Sequence, residues 1–173
     1  MTPARPVLWC APAQEYNAPR ISPDGKQVCI TIGPAYGIGD IWRYDIARET
    51  LTRLTFDGKC LVSYWAPDGK SVIYQNEVDG FGLQRLVLDS DVASQPFFKV
   101  KFPIVTSTIT PDGRSVLYSP WGNAQADLME VPVTGGESRV LLNEPGDQRD
   151  AAISPDGAWM AYALRGGGNI EVY

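Results

Sequence analysis

A nine-residue stretch that returns at constant spacing constrains this chain more than any other feature. Ser22-Pro23-Asp24-Gly25-Lys26-Gln27-Val28-Cys29-Ile30 recurs as Ala66-Pro67-Asp68-Gly69-Lys70-Ser71-Val72-Ile73-Tyr74, as Thr110-Pro111-Asp112-Gly113-Arg114-Ser115-Val116-Leu117-Tyr118 and as Ser154-Pro155-Asp156-Gly157-Ala158-Trp159-Met160-Ala161-Tyr162. The prolines stand at 23, 67, 111 and 155, a step of 44 residues each time. A period of that length marks supersecondary units that cannot bury their apolar faces alone and stack to do so.

The stretch reads as a turn followed by a strand. Proline presets φ at the first central position, Asp bonds nearby backbone amides, and Gly supplies the positive φ at the exit, so Asp24, Gly25, Asp68, Gly69, Asp112, Gly113, Asp156 and Gly157 are turn residues. In the strand that follows, Val28, Val72, Val116 and Met160 share one slot, and Ile30, Tyr74, Tyr118 and Tyr162 lie two positions on, on the same sheet face. The slot between them, Cys29, Ile73, Leu117 and Ala161, is apolar too. Both faces of this strand are therefore expected to be covered, which places it inside a sheet packed between two others.

Breakers are frequent, with 17 Gly and 14 Pro in 173 residues, which suits many short strands and no long helix. We expect one all-β domain over 1–173, a β-propeller of four-stranded blades, with blade one at 17–55, blade two at 61–101, blade three at 104–142 and blade four at 149–173. Residues 5–10, with Val7-Leu8-Trp9 at their centre, occupy the place of the fourth strand of a split blade. Two arrangements satisfy this pattern: a truncated arc of a six-blade plan, or a four-bladed ring latched by that N-terminal strand. The open edges of an arc would allow self-association.

Composition removes several chemistries. Histidine is absent, which excludes His-based triads and His-ligated metals, and Cys10, Cys29 and Cys60 form no Cys-x-x-Cys pair. No metal and no cofactor are expected. The net charge of −5 argues against a nucleic-acid partner. No run approaches the length of a membrane span, and Met1 to Pro6 do not begin a signal peptide. The serines sit in no Gly-x-Ser-x-Gly elbow, and Gly166-Gly167-Gly168 opens no helix that could cradle phosphate. On these grounds the chain is expected not to be an enzyme.

The Pro-Asp-Gly turns, the segment Asp40-Ile41-Trp42-Arg43-Tyr44-Asp45 and the closing Leu54-Thr55-Phe56-Asp57-Gly58 together resemble the TolB-like propeller repeat, over nearly the whole chain. Leu51 to Gly58, Ile153 to Tyr162 and Asn169 to Tyr173 look most like the propellers attached to bacterial serine/threonine protein kinases. The resemblance implies a protein- or peptide-binding or sensory scaffold within a larger protein such as a receptor-like kinase, in a periplasmic or extracytoplasmic setting. Propellers similar to these also gate the active site of prolyl-oligopeptidase-type serine peptidases, which is the alternative role.

One constellation is a candidate for recognition. Loops on the rim opposite the Pro-Asp-Gly turns carry Tyr36, Phe81 and Trp121, with Glu15, Asp57, Asp79, Glu144 and Asp147 in the same loops. Aromatic rings beside acids on exposed loops are the composition of a partner-binding surface. Tyr36, Phe81, Trp121, Asp57 and Asp79 are the candidate ligand-binding residues.

Overall fold

A computed structural model describes residues 15–35, 37–77, 81–121 and 126–173. The described elements are all strands, in four successive antiparallel meanders. The first comprises β1 (Glu15–Ile21), β2 (Gln27–Ala35), β3 (Ile38–Asp45) and β4 (Thr50–Arg53). The second comprises β5 (Cys60–Trp65), β6 (Ser71–Asn76), β7 (Phe81–Val87) and β8 (Gln95–Val100). β9 (Ile104–Ile109), β10 (Ser115–Pro120), β11 (Leu128–Pro132) and β12 (Arg139–Leu142) form the third, and β13 (Asp147–Ile153), β14 (Met160–Gly166) and β15 (Asn169–Val172) the last. A single bridging pair, Gly39 with Cys60, joins the first two sheets. The proposed N-terminal strand, 5–10, lies outside the described residues.

Each Pro-Asp-Gly segment closes the hairpin between the first and second strands of its meander. The amide of Gly25 donates to the Ser22 carbonyl at 2.9 Å, and Gly25 then takes φ +72°. Gly69, Gly113 and Gly157 repeat the geometry at φ +66°, +73° and +72°, in the left-handed region that suits glycine. Side chains lock three of the turns. Ser22 Oγ donates to Asp24 Oδ1 at 2.6 Å, Thr110 Oγ1 to Asp112 at 2.7 Å and Ser154 Oγ to Asp156 at 2.6 Å. The same carboxylates accept from the amides of Lys26, Arg114 and Ala158. Those bonds, the hydroxyl first, hold Asp24, Asp112 and Asp156 below the usual carboxylate range. In the second meander Ala66 replaces the hydroxyl residue, and Asp68 accepts from the Lys70 amide at 2.9 Å without the hydroxyl bond that the other three turns have.

The core lies between the sheets. Cys29, Trp65 and Val72 fill one junction of the first two meanders, with Ile41, Cys60 and Tyr74 in a second cluster. Ile73, Leu83, Phe98, Ile104, Ile109, Val116, Tyr118 and Val131 fill the space between the second and third. Leu117, Leu128 and Ala151 fill that between the third and fourth. Strands β6 and β10 are buried on both faces, as the apolar slots require. β14 departs from this expectation, because Ala161, which shares a slot with buried Cys29, Ile73 and Leu117, is exposed with no described sheet against it.

Polar side chains stitch one sheet to the next at a single repeated position. Thr31 Oγ1 donates to the Leu61 carbonyl at 2.5 Å, Gln75 Nε2 to Ile104 O at 2.9 Å and Ser119 Oγ to Gln148 O at 2.6 Å. These donors are 44 residues apart and almost wholly buried, so each satisfies itself and an edge carbonyl of the following meander. The fourth residue of the series is Ala163, which has no donor to offer.

Candidate functional site

The first strands of the meanders, β1, β5, β9 and β13, are each interrupted at an equivalent place. The register shifts between Asn17 and Arg20, between Cys60 and Ser63, between Thr106 and Thr108, and between Arg149 and Ala152. A bulge re-aims the side chains beside it and frees backbone from the ladder. Ala18 and Asp150, which stand at the same repeat position, accordingly take φ +49° and +52°.

Between the bulged strands of the first three meanders lies an open groove of about 600 Å³. Its walls are mostly apolar: Leu61, Val62 and Tyr64 from β5, Ile104 and Val105 from β9, and Pro103, with Phe81 and Trp121 at the loop side. Asn17, Gln75, Glu77 and Thr106 supply the polar groups. A concave apolar surface with a few placed polar groups is the form that ligand sites take.

The groove is held in shape by bonds across meanders. Tyr64 donates its hydroxyl to the Thr106 carbonyl at 2.7 Å, and the Arg20 guanidinium sits 5.2 Å above its ring. Burial pushes the Tyr64 phenol above its ordinary range, so it stays a neutral donor at physiological pH. Gln75 binds Ile104 O and accepts from Thr106 Oγ1 at 3.3 Å. The β9 carbonyls at Ile104 and Thr106 are thus occupied by the second meander, which leaves the groove floor apolar.

Trp121 forms the other end. Its amide donates to Pro103 O at 2.8 Å, while its ring is 57% exposed. The Arg149 guanidinium lies over that ring, 4.8 Å from its centre, and Arg149 Nε is 2.7 Å from Asp147 Oδ2. The pair is close but not aligned as a hydrogen bond. Asp147 and Arg149 lie two apart on β13 and so project to one face.

Two of the five residues singled out in the sequence, Phe81 and Trp121, meet in this groove. Tyr36 and Asp79 lie outside the described residues. Asp57 does not line the groove. It caps the turn before β5, accepting from the Lys59 amide at 3.0 Å and from Asn76 Nδ2 at 2.8 Å. Burial works against its charge, yet these bonds outweigh it and leave the carboxyl below its ordinary range. Asp147, grouped in the sequence with the loop acids, is a buried partner of Arg149. Tyr64 and Arg149 were not anticipated. Arg149 stands at the repeat position of Asn17, Leu61 and Val105, and Tyr64 at that of Arg20, Thr108 and Ala152; the neighbouring positions vary as much, so neither stands out in the sequence.

Among the described residues no group of three His, Cys, Asp or Glu side chains could hold a metal ion. Within the same set no helix is long and apolar enough to cross a membrane.

The fold is an all-β one that matches solved TolB β-propellers. TolB from Acinetobacter baumannii superimposes with a TM-score of 0.77 over 92% of this chain and 40% of its own, at 19% identity. A second structure assigned to TolB, from Agrobacterium tumefaciens, gives 0.74 over 92% of this chain and 57% of its own, at 20% identity. In sequence the chain is similar to the uncharacterized protein Atu1656 of Agrobacterium fabrum, 23% identical over 172 residues. It is also similar to the uncharacterized peptidase YuxL of Bacillus subtilis, 25% identical over 161 residues. The aligned region spans 56% of the first relative and 23% of the second. No family model matches the chain.

The expectation that the chain is not an enzyme is corrected by the same comparison. An oligogalacturonate lyase solved in complex with manganese superimposes with a TM-score of 0.64 over 86% of this chain and 45% of its own, at 18% identity. The oligogalacturonate lyase of Vibrio parahaemolyticus gives 0.69 over 90% of this chain and 48% of its own, at 13% identity. A fold that supports lyase chemistry in these proteins excludes nothing about catalysis, because function lives in sites grafted on folds.

Proposed function

We propose that this chain is a protein- or peptide-binding propeller region whose ligand lies in the groove between β1, β5 and β9. The observation that carries the reading is the apolar groove itself, which ends in an exposed Trp121 ring held by Arg149. Exposed aromatic anchors beside an apolar trough are where protein partners find most of their binding energy. The walls suit an extended segment, because they are themselves the strands β5 and β9.

A second reading is favoured by one finding, the match to a peptidase of which this chain spans 23%. In that setting the groove would admit or refuse peptide substrates on behalf of a catalytic domain elsewhere in the protein. The receptor-like kinase setting rests on the sequence resemblance alone. Self-association through open sheet edges belongs with these proposals.

The experiment is selection of random peptides by display, followed by titration of the recovered peptides against Trp121→Ala and Val62→Arg. Both substitutions should weaken binding about tenfold or more, the equivalent of about 1.4 kcal/mol, without moving the unfolding midpoint by more than a few degrees. Peptides that bind both variants as well as the parent would refute a ligand in this groove.

A further inference from the structure

We infer that the groove selects a ligand segment bearing a carboxylate, read by the Arg149 guanidinium at the Trp121 end; this rests on the peptide-binding reading above. Arg149 stands at the repeat position that Asn17, Leu61 and Val105 occupy in the earlier meanders, and those three all line the groove. The fourth residue of a groove-lining series is therefore a cation. Its placement is constrained from two sides. The Trp121 ring lies under the guanidinium at 4.8 Å, and Asp147, itself 7% exposed, holds the Nε side at 2.7 Å.

Among the described residues the two terminal guanidinium nitrogens make no hydrogen bond. They form a planar fork whose matching partner is a carboxylate. A guanidinium already stacked on an aromatic ring and ion-paired beside Asp147 loses little rotamer freedom when a ligand arrives. The surrounding charges bias the orientation. Glu77, carried by the second meander, disfavours an acid at its own part of the groove, and Arg149, carried by the fourth, favours one. Arg20 is engaged over Tyr64, Asp147 already neutralises part of the Arg149 charge and the Asp150 carboxylate adds negative charge near Tyr64, so recognition depends on the fork rather than on net charge. An extended segment therefore binds with its apolar side chains along Leu61, Val62 and Ile104 and its carboxylate at Trp121. That carboxylate is either an Asp or Glu side chain or a chain terminus.

The test uses the twelve-residue peptides recovered by display on the whole chain. Each is resynthesised with its acidic residues changed to amides, and separately with its C-terminus amidated. All are titrated against the parent, Arg149→Gln and Arg149→Lys. Arg149→Lys keeps a charge beside Asp147 and guards against a variant that merely unfolds. The expected result is enrichment of an acid at fixed distance from an apolar residue, with about tenfold weaker binding on amidation of that one group. Neither Arg149 variant should then distinguish acid from amide. Loss on C-terminal amidation alone identifies a chain terminus, and loss on side-chain amidation identifies Asp or Glu. Peptides that lose binding to Trp121→Ala yet tolerate both amidations overturn the carboxylate inference while leaving the groove reading intact. Peptides indifferent to Trp121→Ala, or no recovered peptide at all, overturn both.

Discussion

Replacing the turn glycines by alanine separates the cost of backbone conformation from the cost of contact between meanders. All four have nearly the same φ, from +66° to +73°, so each alanine should incur the same left-handed penalty, about 1–2 kcal/mol. Part of this is offset, by roughly 0.4–1 kcal/mol, because alanine also restricts the unfolded chain. A net loss of about 1 kcal/mol is expected where the new methyl meets nothing. That is the case at Gly25 and Gly157, where a Cβ has no neighbour within 4 Å, and at Gly69, where Pro23 Cδ lies at an ordinary 3.9 Å. Gly113 differs, since its Cβ would stand 3.2 Å from Pro67 Cδ and 3.5 Å from Pro67 Cγ, on the turn of the preceding meander. Pro67 is part of a rigid ring and must give way by a few tenths of an ångström, which adds a cost at the low end of the roughly 1–3 kcal/mol range for overpacking. Urea unfolding, with midpoint and slope both fitted, measures the series. Three similar losses and a larger one for Gly113→Ala are expected. Four equal losses would show that the turns do not bear on one another, and no loss at Gly25 and Gly157 would refute the left-handed penalty itself.

Two further outcomes follow from single interactions. Ser119→Ala removes the donor to Gln148 O and leaves a buried carbonyl unpaired, so stability should fall by about 1–3 kcal/mol; hydrogen exchange that stays unchanged at the junction of the third and fourth meanders would contradict the stitch. The carboxyls of Asp24, Asp112 and Asp156 are lowered from 3.8 in the folded chain, so their contribution is fully present above that value and is lost as pH falls through their lower folded pKa values. The unfolding midpoint should therefore drop as pH is taken below about 3.8, and the three Asp→Asn changes together should flatten that dependence. An acid limb of unaltered slope in the triple variant would place the effect on other carboxylates.

Local chemistry decided the strands and turns of this protein. Pro67-Asp68-Gly69 can be little other than a reversal, and the Val72, Ile73, Tyr74 run after it can only be a strand covered on both faces, because these preferences act within a few residues. A constant 44-residue step then makes stacked sheets the remaining architecture. Phe81 and Trp121 were legible as candidates for a similar reason, since large rings near loops stand out from their surroundings, and both line the groove. Asp57 caps a turn away from the groove, a role the sequence does not separate from that of an exposed loop acid until Asn76, 19 residues away, is brought to it. Tyr64 and Arg149 could not be singled out at all. Tyr64 sits in a strand like any core aromatic, and only the bulges in β5 and β9 and the packing of adjacent meanders turn it toward Thr106 and the groove. Arg149 acquires its meaning from Trp121, which follows β10 of the preceding meander. Such pairings join residues far apart in the chain, and the forces that set them, burial between sheets and bonds across their edges, exist only once the meanders have stacked.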